Sequence, residues 1–236
     1  MKRFWEIDTA RGIAIILMII FHIFRDLKYF SVFSFESIGF WWLFPRIIAS
    51  MFIFLVGISL YISYSRTKNK NFRKYLKRGL KIFSWGLAIT LVTWALAPEN
   101  FVFFGILHFI GIAVILAYPF LKNPKYNLIF GMAAVLTGWY LSSFMLSFPY
   151  LMPLGLLGKG IKTFDYFPIF PWFGLVLTGM WFGELFYPGG KRDFKIKDLE
   201  NIPVNFLSFV GRHSLKIYLI HQPVIITIVY LISSVF

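Results

Sequence analysis

The sequence predicts an all-α fold: a polytopic membrane helix bundle of about seven transmembrane helices, with the N-terminus inside and the C-terminus outside. Three observations lead there. Of the 236 residues, 58% are hydrophobic, 21% aromatic and only 14% charged, and the mean hydropathy of +0.72 is far from that of a soluble domain. Apolar runs, most of them about 18 to 23 residues long and so able to cross a hydrocarbon core of about 30 Å, follow one another at 10–27, 41–63, 79–97, 103–121, 127–147, 167–187 and 214–235. Lys and Arg crowd into alternate connections, as the positive-inside rule describes.

The first run sits within residues 8–30, DTARGIAIILMIIFHIFRDLKYF, which hold Asp8, Arg11, His22, Arg25 and Asp26 in apolar surroundings. Ionisable groups are costly inside a membrane and point to function. At 3.6 residues per turn, Arg11 and His22 fall about 20° apart around the axis and roughly 16 Å apart along it. Asp26, four residues beyond His22, shares nearly the same face. One stripe thus offers a cation near one end, an imidazole deep inside and a carboxylate able to orient it. The plainer reading has His22 bonded to a neighbouring helix and Asp26 paired with Arg25 or Lys28.

The second run carries Arg46 near its start, where a long side chain snorkels to the interface. The connection after it, SRTKNKNFRKYLKRGLK, has eight basic residues, Arg66, Lys68, Lys70, Arg73, Lys74, Lys77, Arg78 and Lys81, and no acid. That connection is cytoplasmic by the charge rule, and with seven spans the inside set holds 19 of the 24 Lys and Arg. Arg25, Lys28, Arg46, Lys159 and Lys162 are left outside.

The fourth run contains FFGILHFIGIAV, with His108 expected at a depth similar to that of His22. Packing plus a single hydrogen bond is the alternative for His108, and Gly105 and Gly111 suit close helix approach. The outer connection SFPYLMPLGLLGKGIKTFDYF is rich in Gly and Pro and is expected to cover a site as a loop or re-entrant segment. In the sixth run, Pro168 and Pro171 mark a bend or helix start, Gly174, Gly179 and Gly183 form a packing face, and Glu184 lies at the cytoplasmic end. The link YPGGKRDFKIKDLENIPVN reads as an ordinary polar connection. The last run, GRHSLKIYLIHQPVIITIVYL, starts with Gly211, Arg212, His213 and Ser214 at the inner surface, and His221, Gln222 and Pro223 follow about two turns deeper. Arg212 and Lys216 can grip phosphates beside the helix amides, and Pro223 frees a carbonyl inside the bundle.

With no Cys, disulfides, thiol nucleophiles and thiolate metal sites are excluded. The four His are too scattered for a metal site, and no HExxH, GxSxG, P-loop or Rossmann pattern occurs. Although the net charge is +14, its place in the connections favours anionic lipid over nucleic acid as partner. A cleaved signal peptide is not expected. The short connections leave residues 1–236 to be read as a single domain.

Several blocks, taken in order, carry a resemblance: residues 7–12, IDTARG, followed by His22; FLVGISL at 54–60; GILHFIG at 105–111; FPWFG at 170–174; and GRHSLKIYLIHQP at 211–223. Together they resemble the heparan-α-glucosaminide N-acetyltransferase catalytic domain family over nearly the whole chain. The interval from Arg11 to His22 also resembles the opening motif of the wider membrane acyltransferase-3 group. The resemblance implies a multi-pass cell-membrane acyltransferase that takes an acetyl or other acyl group from cytoplasmic acyl-CoA. The acceptor would be a hydroxyl or amine, on a glycan or lipid-linked sugar, reached from outside. His22 and Arg11 match the acyltransferase-3 histidine and arginine. The eukaryotic heparan enzyme has Asn at the position of His22 and its catalytic His in the following loop, where this chain has none. The chain is expected to lack that enzyme's extra luminal region, so heparan is not the expected acceptor.

The expected site assigns His22 as base, Asp26 as its orienting group and His108 as assistant. Arg11, Arg212 and Lys216, with Arg78, Lys81, His221 and Gln222, would hold the CoA. A homodimer is left open. The competing classes are a transporter or small-ligand binding protein that uses the same buried polar residues, and a scaffold in which they only specify packing.

Overall fold

The computed structural model describes residues 3–32, 39–146, 149–158, 162–199 and 201–233. Lys2, Lys159 and part of the Gly- and Pro-rich outer connection fall outside them. The helices are α1 (Trp5–Tyr29), α2 (Phe40–Ser65), α3 (Phe72–Leu96), α4 (Ile106–Leu116), α5 (Asn127–Ser142), α6 (Ile169–Phe186), α7 (Ile202–Arg212) and α8 (Ser214–Ser233). Short 3-10 turns lie at Pro119–Leu121, Pro124–Tyr126, Pro149–Leu154 and Pro188–Gly190. Among the described residues, extended pairing amounts to a two-residue parallel ladder, Met145–Leu146 with Leu157–Gly158, and a bridge between Phe104 and Tyr166.

Each of the seven apolar runs contains one helix. By length and composition, α1, α2, α3, α6 and α8 are able to cross a membrane. With 11 and 16 residues, α4 and α5 are shorter than the roughly 20 that a full crossing needs. Leu91, Val92 and Trp94 of α3 and Ile129, Leu136 and Trp139 of α5 are more than half exposed, as on helices whose solvent is lipid. An eighth helix, α7, starts within the last residues of the supposed polar link after α6 and runs on beyond it to Arg212. Asn201 caps it by accepting from the Val204 N–H at 3.0 Å, and Pro203 suits its first turn. Most of the basic connection after α2 is also helix, because α3 starts at Phe72 behind the Asn71 cap. Arg78 and Lys81 are therefore exposed residues of α3 rather than of a loop.

The chain divides into two compact units, Met1–Leu55 with Ile196–Phe236, and Val56–Lys195. In the first, α1 packs on α7 and α8. Glu6 and Asp8 in the first turn of α1 and Lys28 in its last suit its dipole. Two glycines bring α1 and α7 together: a Cβ on Gly12 would strike the Leu207 carbonyl, and one on Gly211 the Asp8 carbonyl. Thr9 Oγ1 and Ser208 Oγ share a hydrogen bond of 2.8 Å across the same contact. Ile15, Met18, Ile48 and Val210 form the buried core, with Phe44, Phe52, Ile217 and Tyr218 packed around it. His213 ends α7, and its Nδ1 lies 2.9 Å from the Phe209 carbonyl oxygen.

In the second unit, α3 packs on α4 and α5 on α6. Gly131 and Gly174 face each other, so that a Cβ on either would press on the other's carbonyl oxygen. Small residues at such points let helices associate where lipid offers no hydrophobic drive. The segment ahead of α6 is knitted to the start of α4 and the residues before it, where Thr163 Oγ1 donates to the Phe101 carbonyl at 2.8 Å and Ile106 N–H donates to Asp165 Oδ2 at 3.0 Å, and to the turn at Pro149–Leu154, where Tyr166 donates its hydroxyl to the Met152 carbonyl at 2.7 Å.

Candidate active site

The polar stripe of α1 finds its partners on α8. The rings of His22 and His221 meet edge to face, with centroids 4.8 Å apart and planes at 88°. One turn along α1, Asp26 Oδ2 accepts from Gln222 Nε2 at 2.7 Å, while Arg25 Nε approaches Oδ1 at 3.4 Å. Phe30 and Tyr230 stack edge to face farther on, so α1 and α8 run in the same direction along this contact.

The two histidines are held alike. His22 Nδ1 lies 2.8 Å from the Met18 carbonyl oxygen, and His221 Nδ1 lies 2.5 Å from that of Tyr218. A carbonyl only accepts, so each Nδ1 carries the proton and each Nε2 presents a lone pair. His221 is 9% exposed and its Nε2 is buried without a hydrogen-bond partner among the described residues. Gln222 Oε1 is in the same state. An unsatisfied buried acceptor costs about 1–3 kcal/mol, and here two stand on adjacent residues.

The expectation that Asp26 orients His22 is not what the bonds show. Met18, one turn before His22, sets the tautomer, and the Asp26 oxygens turn to Gln222 and Arg25. His221 and Gln222, read from sequence with the phosphate-binding residues, sit instead on the face that meets His22 and Asp26. A signal for this pairing exists in the sequence: the first and last apolar runs each carry polar groups that lipid cannot satisfy, and partners in each other are the economical solution.

The bases at the start of α1 and of α8 come to one end of this unit, because Gly211 rests on the backbone of Asp8. Arg11 Nη1 donates to Asp8 Oδ1 at 3.0 Å, and Arg3 Nη1 lies 3.9 Å from Asp8 Oδ2. Asp8 itself is buried. Arg212 and Lys216 are exposed. This basic end lies about 16 Å along α1 from His22.

In the second unit, His108 is buried at the start of α4. Its Nδ1 accepts from the Gly105 N–H at 3.3 Å, and its Nε2 lies 3.3 Å from Thr90 Oγ1, which donates to the Val102 carbonyl at 2.7 Å. Both ring nitrogens are thus occupied in capping α4 and tying it to α3. A Cβ on Gly86 would meet the imidazole, and Phe83 and Phe104 flank it. No group of three or more His, Cys, Asp or Glu that could hold a metal is found among the described residues.

The family model described as heparan-alpha-glucosaminide N-acetyltransferase, catalytic, matches residues 3–223. The chain belongs to this family. The match begins at Arg3 and ends at Pro223, so it includes Arg11, His22, Asp26, His108, Arg212, Lys216, His221 and Gln222. No curated protein and no solved structure matches the chain. Membership of the heparan-alpha-glucosaminide N-acetyltransferase catalytic family indicates a membrane acetyltransferase. Acyl transfer calls for a group that takes the acceptor's proton, and the α1–α8 contact supplies a neutral imidazole with its Nε2 lone pair available.

Proposed function

We propose that this protein moves an acetyl or other acyl group from cytoplasmic acyl-CoA to a hydroxyl or amine reached from the outer side of the cell membrane, a glycan or lipid-linked sugar serving as acceptor. The observation that carries this reading is His22, a histidine within a membrane helix whose Nδ1 is fixed by the Met18 carbonyl, so that Nε2 is held as an acceptor. In the reaction, Nε2 takes the proton as the acceptor's oxygen or nitrogen attacks the thioester carbonyl; the C–S bond breaks, and the proton passes to the CoA sulfur. Arg11, Arg212 and Lys216 hold the CoA phosphates at the inner end. The pantetheine arm is long enough for the roughly 16 Å from Arg11 to His22.

The proposed polarity takes the runs around α4 and α5 as two further crossings, seven in all, as the charge distribution of the connections favours. The N-terminus then lies inside and the C-terminus outside, and the basic connections face the cytoplasm. The test uses purified protein in nanodiscs with labelled acetyl-CoA. His22→Ala abolishes transfer and leaves acetyl-CoA binding intact, whereas Arg212→Gln with Lys216→Gln raises the KM for acetyl-CoA by about tenfold, equivalent to about 1.4 kcal/mol, at unchanged kcat. Retained transfer in His22→Ala removes it from the base role, and an unchanged KM removes the two cations from the donor site.

A further inference from the structure

The α1–α8 contact presents hydrogen-bond acceptors without matching donors. Asp26, as a carboxylate, can only accept, so Gln222 must turn its NH2 group toward it, and the 2.7 Å bond fixes that orientation. Gln222 Oε1 is thereby held as an acceptor, buried and without a partner among the described residues, and so is Nε2 of the preceding residue, His221. His22 Nε2 is a third acceptor, on the ring that meets His221 at 4.8 Å. A ligand that satisfies all three must bring several donors and no charge that the site would have to neutralise. An anion such as a CoA phosphate is the wrong chemistry, because it too only accepts.

We propose that His221 and Gln222 are positioning residues for the acyl acceptor: with His22 they form a set of acceptors that takes a neutral polyol, holding a hydroxyl next to the one acylated. This rests on the acyl-transfer reading for the role of His22. The hydroxyl to be acylated donates to His22 Nε2, and its neighbour donates to Gln222 Oε1 or His221 Nε2. Asp26 acts through Gln222, by keeping the amide from rotating.

The experiment reads binding directly. Protein labelled with 15N in its histidines, in nanodiscs, is titrated with glycerol, myo-inositol, methyl β-glucoside and methyl N-acetyl-β-glucosaminide. There are only four histidines, so single substitutions assign every signal. At least one polyol is expected to move the Nε2 signals of His22 and His221 upfield while leaving both Nδ1–H signals and those of His108 unmoved. Gln222→Met and Asp26→Asn each weaken that polyol about tenfold or more, and the double variant is no weaker than the worse single one. Titration of the variants with acetyl-CoA gives the wild-type affinity. The proposal is overturned if no polyol moves the Nε2 signals, if the two substitutions add, or if they weaken acetyl-CoA instead. Polyol binding without any acetyl transfer removes the acetyltransferase reading and leaves the polyol site standing.

Discussion

His22 and His221 meet edge to face, ring centroids 4.8 Å apart, each with Nδ1 set against a carbonyl of its own helix. Neither ring needs the other for its tautomer, so both Nε2 atoms remain available. The contact is a pair of preset acceptors rather than a relay. Its geometry depends on α1 and α8 keeping their register, and that register rests on the packing of α7.

Gly211 sets that packing. Because a Cβ there would strike the Asp8 carbonyl, Gly211→Ala forces α7 away from α1 and costs about 1–3 kcal/mol. The expected result is a lower Tm by fluorescence-detected size exclusion, together with reduced transfer. An unchanged Tm would show that the two backbones are not in contact.

His108 is expected to behave unlike His22. His108→Ala removes the cap on Gly105 N–H and the link to Thr90, which costs about 1–2 kcal/mol. The Tm falls, while kcat per folded molecule stays at the wild-type level. Loss of kcat at full stability would return His108 to the chemistry.

Tyr166 gives an alkaline signature. Burial pushes its phenol from 10.0 up to about 12, while its hydroxyl donates to the Met152 carbonyl. A raised phenol pKa means that the unfolded chain loses the proton first, so the stabilisation is complete below pH 10 and disappears as pH rises toward 12. Unfolding midpoints from pH 9 to 12 should fall more steeply for the wild type than for Tyr166→Phe. Parallel curves would contradict this.

The proposed orientation is open to labelling, since the chain has no cysteine of its own. Lys162→Cys reacts with an impermeant maleimide on intact cells, and Lys68→Cys only after permeabilisation. The reverse pattern would invert the topology, and with it the side from which the donor arrives.

The helices were largely legible because lipid-facing surfaces leave long apolar runs, and each of the seven runs holds a helix. α7 was not, because it is short and its apolar side chains are spaced among Pro203, Asn205, Ser208 and Arg212, so it reads as a link. Within the site, spacing along α1 put His22 and Asp26 on one face and suggested a mutual bond. The nearer carbonyl of Met18 competes for the imidazole, and the amide of Gln222 for the carboxylate. Such competition is invisible until the last helix is placed against the first.

Asp26 and Gln222 are separated by 196 positions, which has a consequence for biogenesis. At ribosomal rates of about 5–20 residues per second, the partner is synthesised about 10–40 s after the residue that waits for it. Throughout that interval Asp26, a carboxylate costly to release into lipid, belongs to a nascent segment that lacks the Gln222 amide. Its retention beside the insertion machinery until α8 emerges is the expected order of assembly.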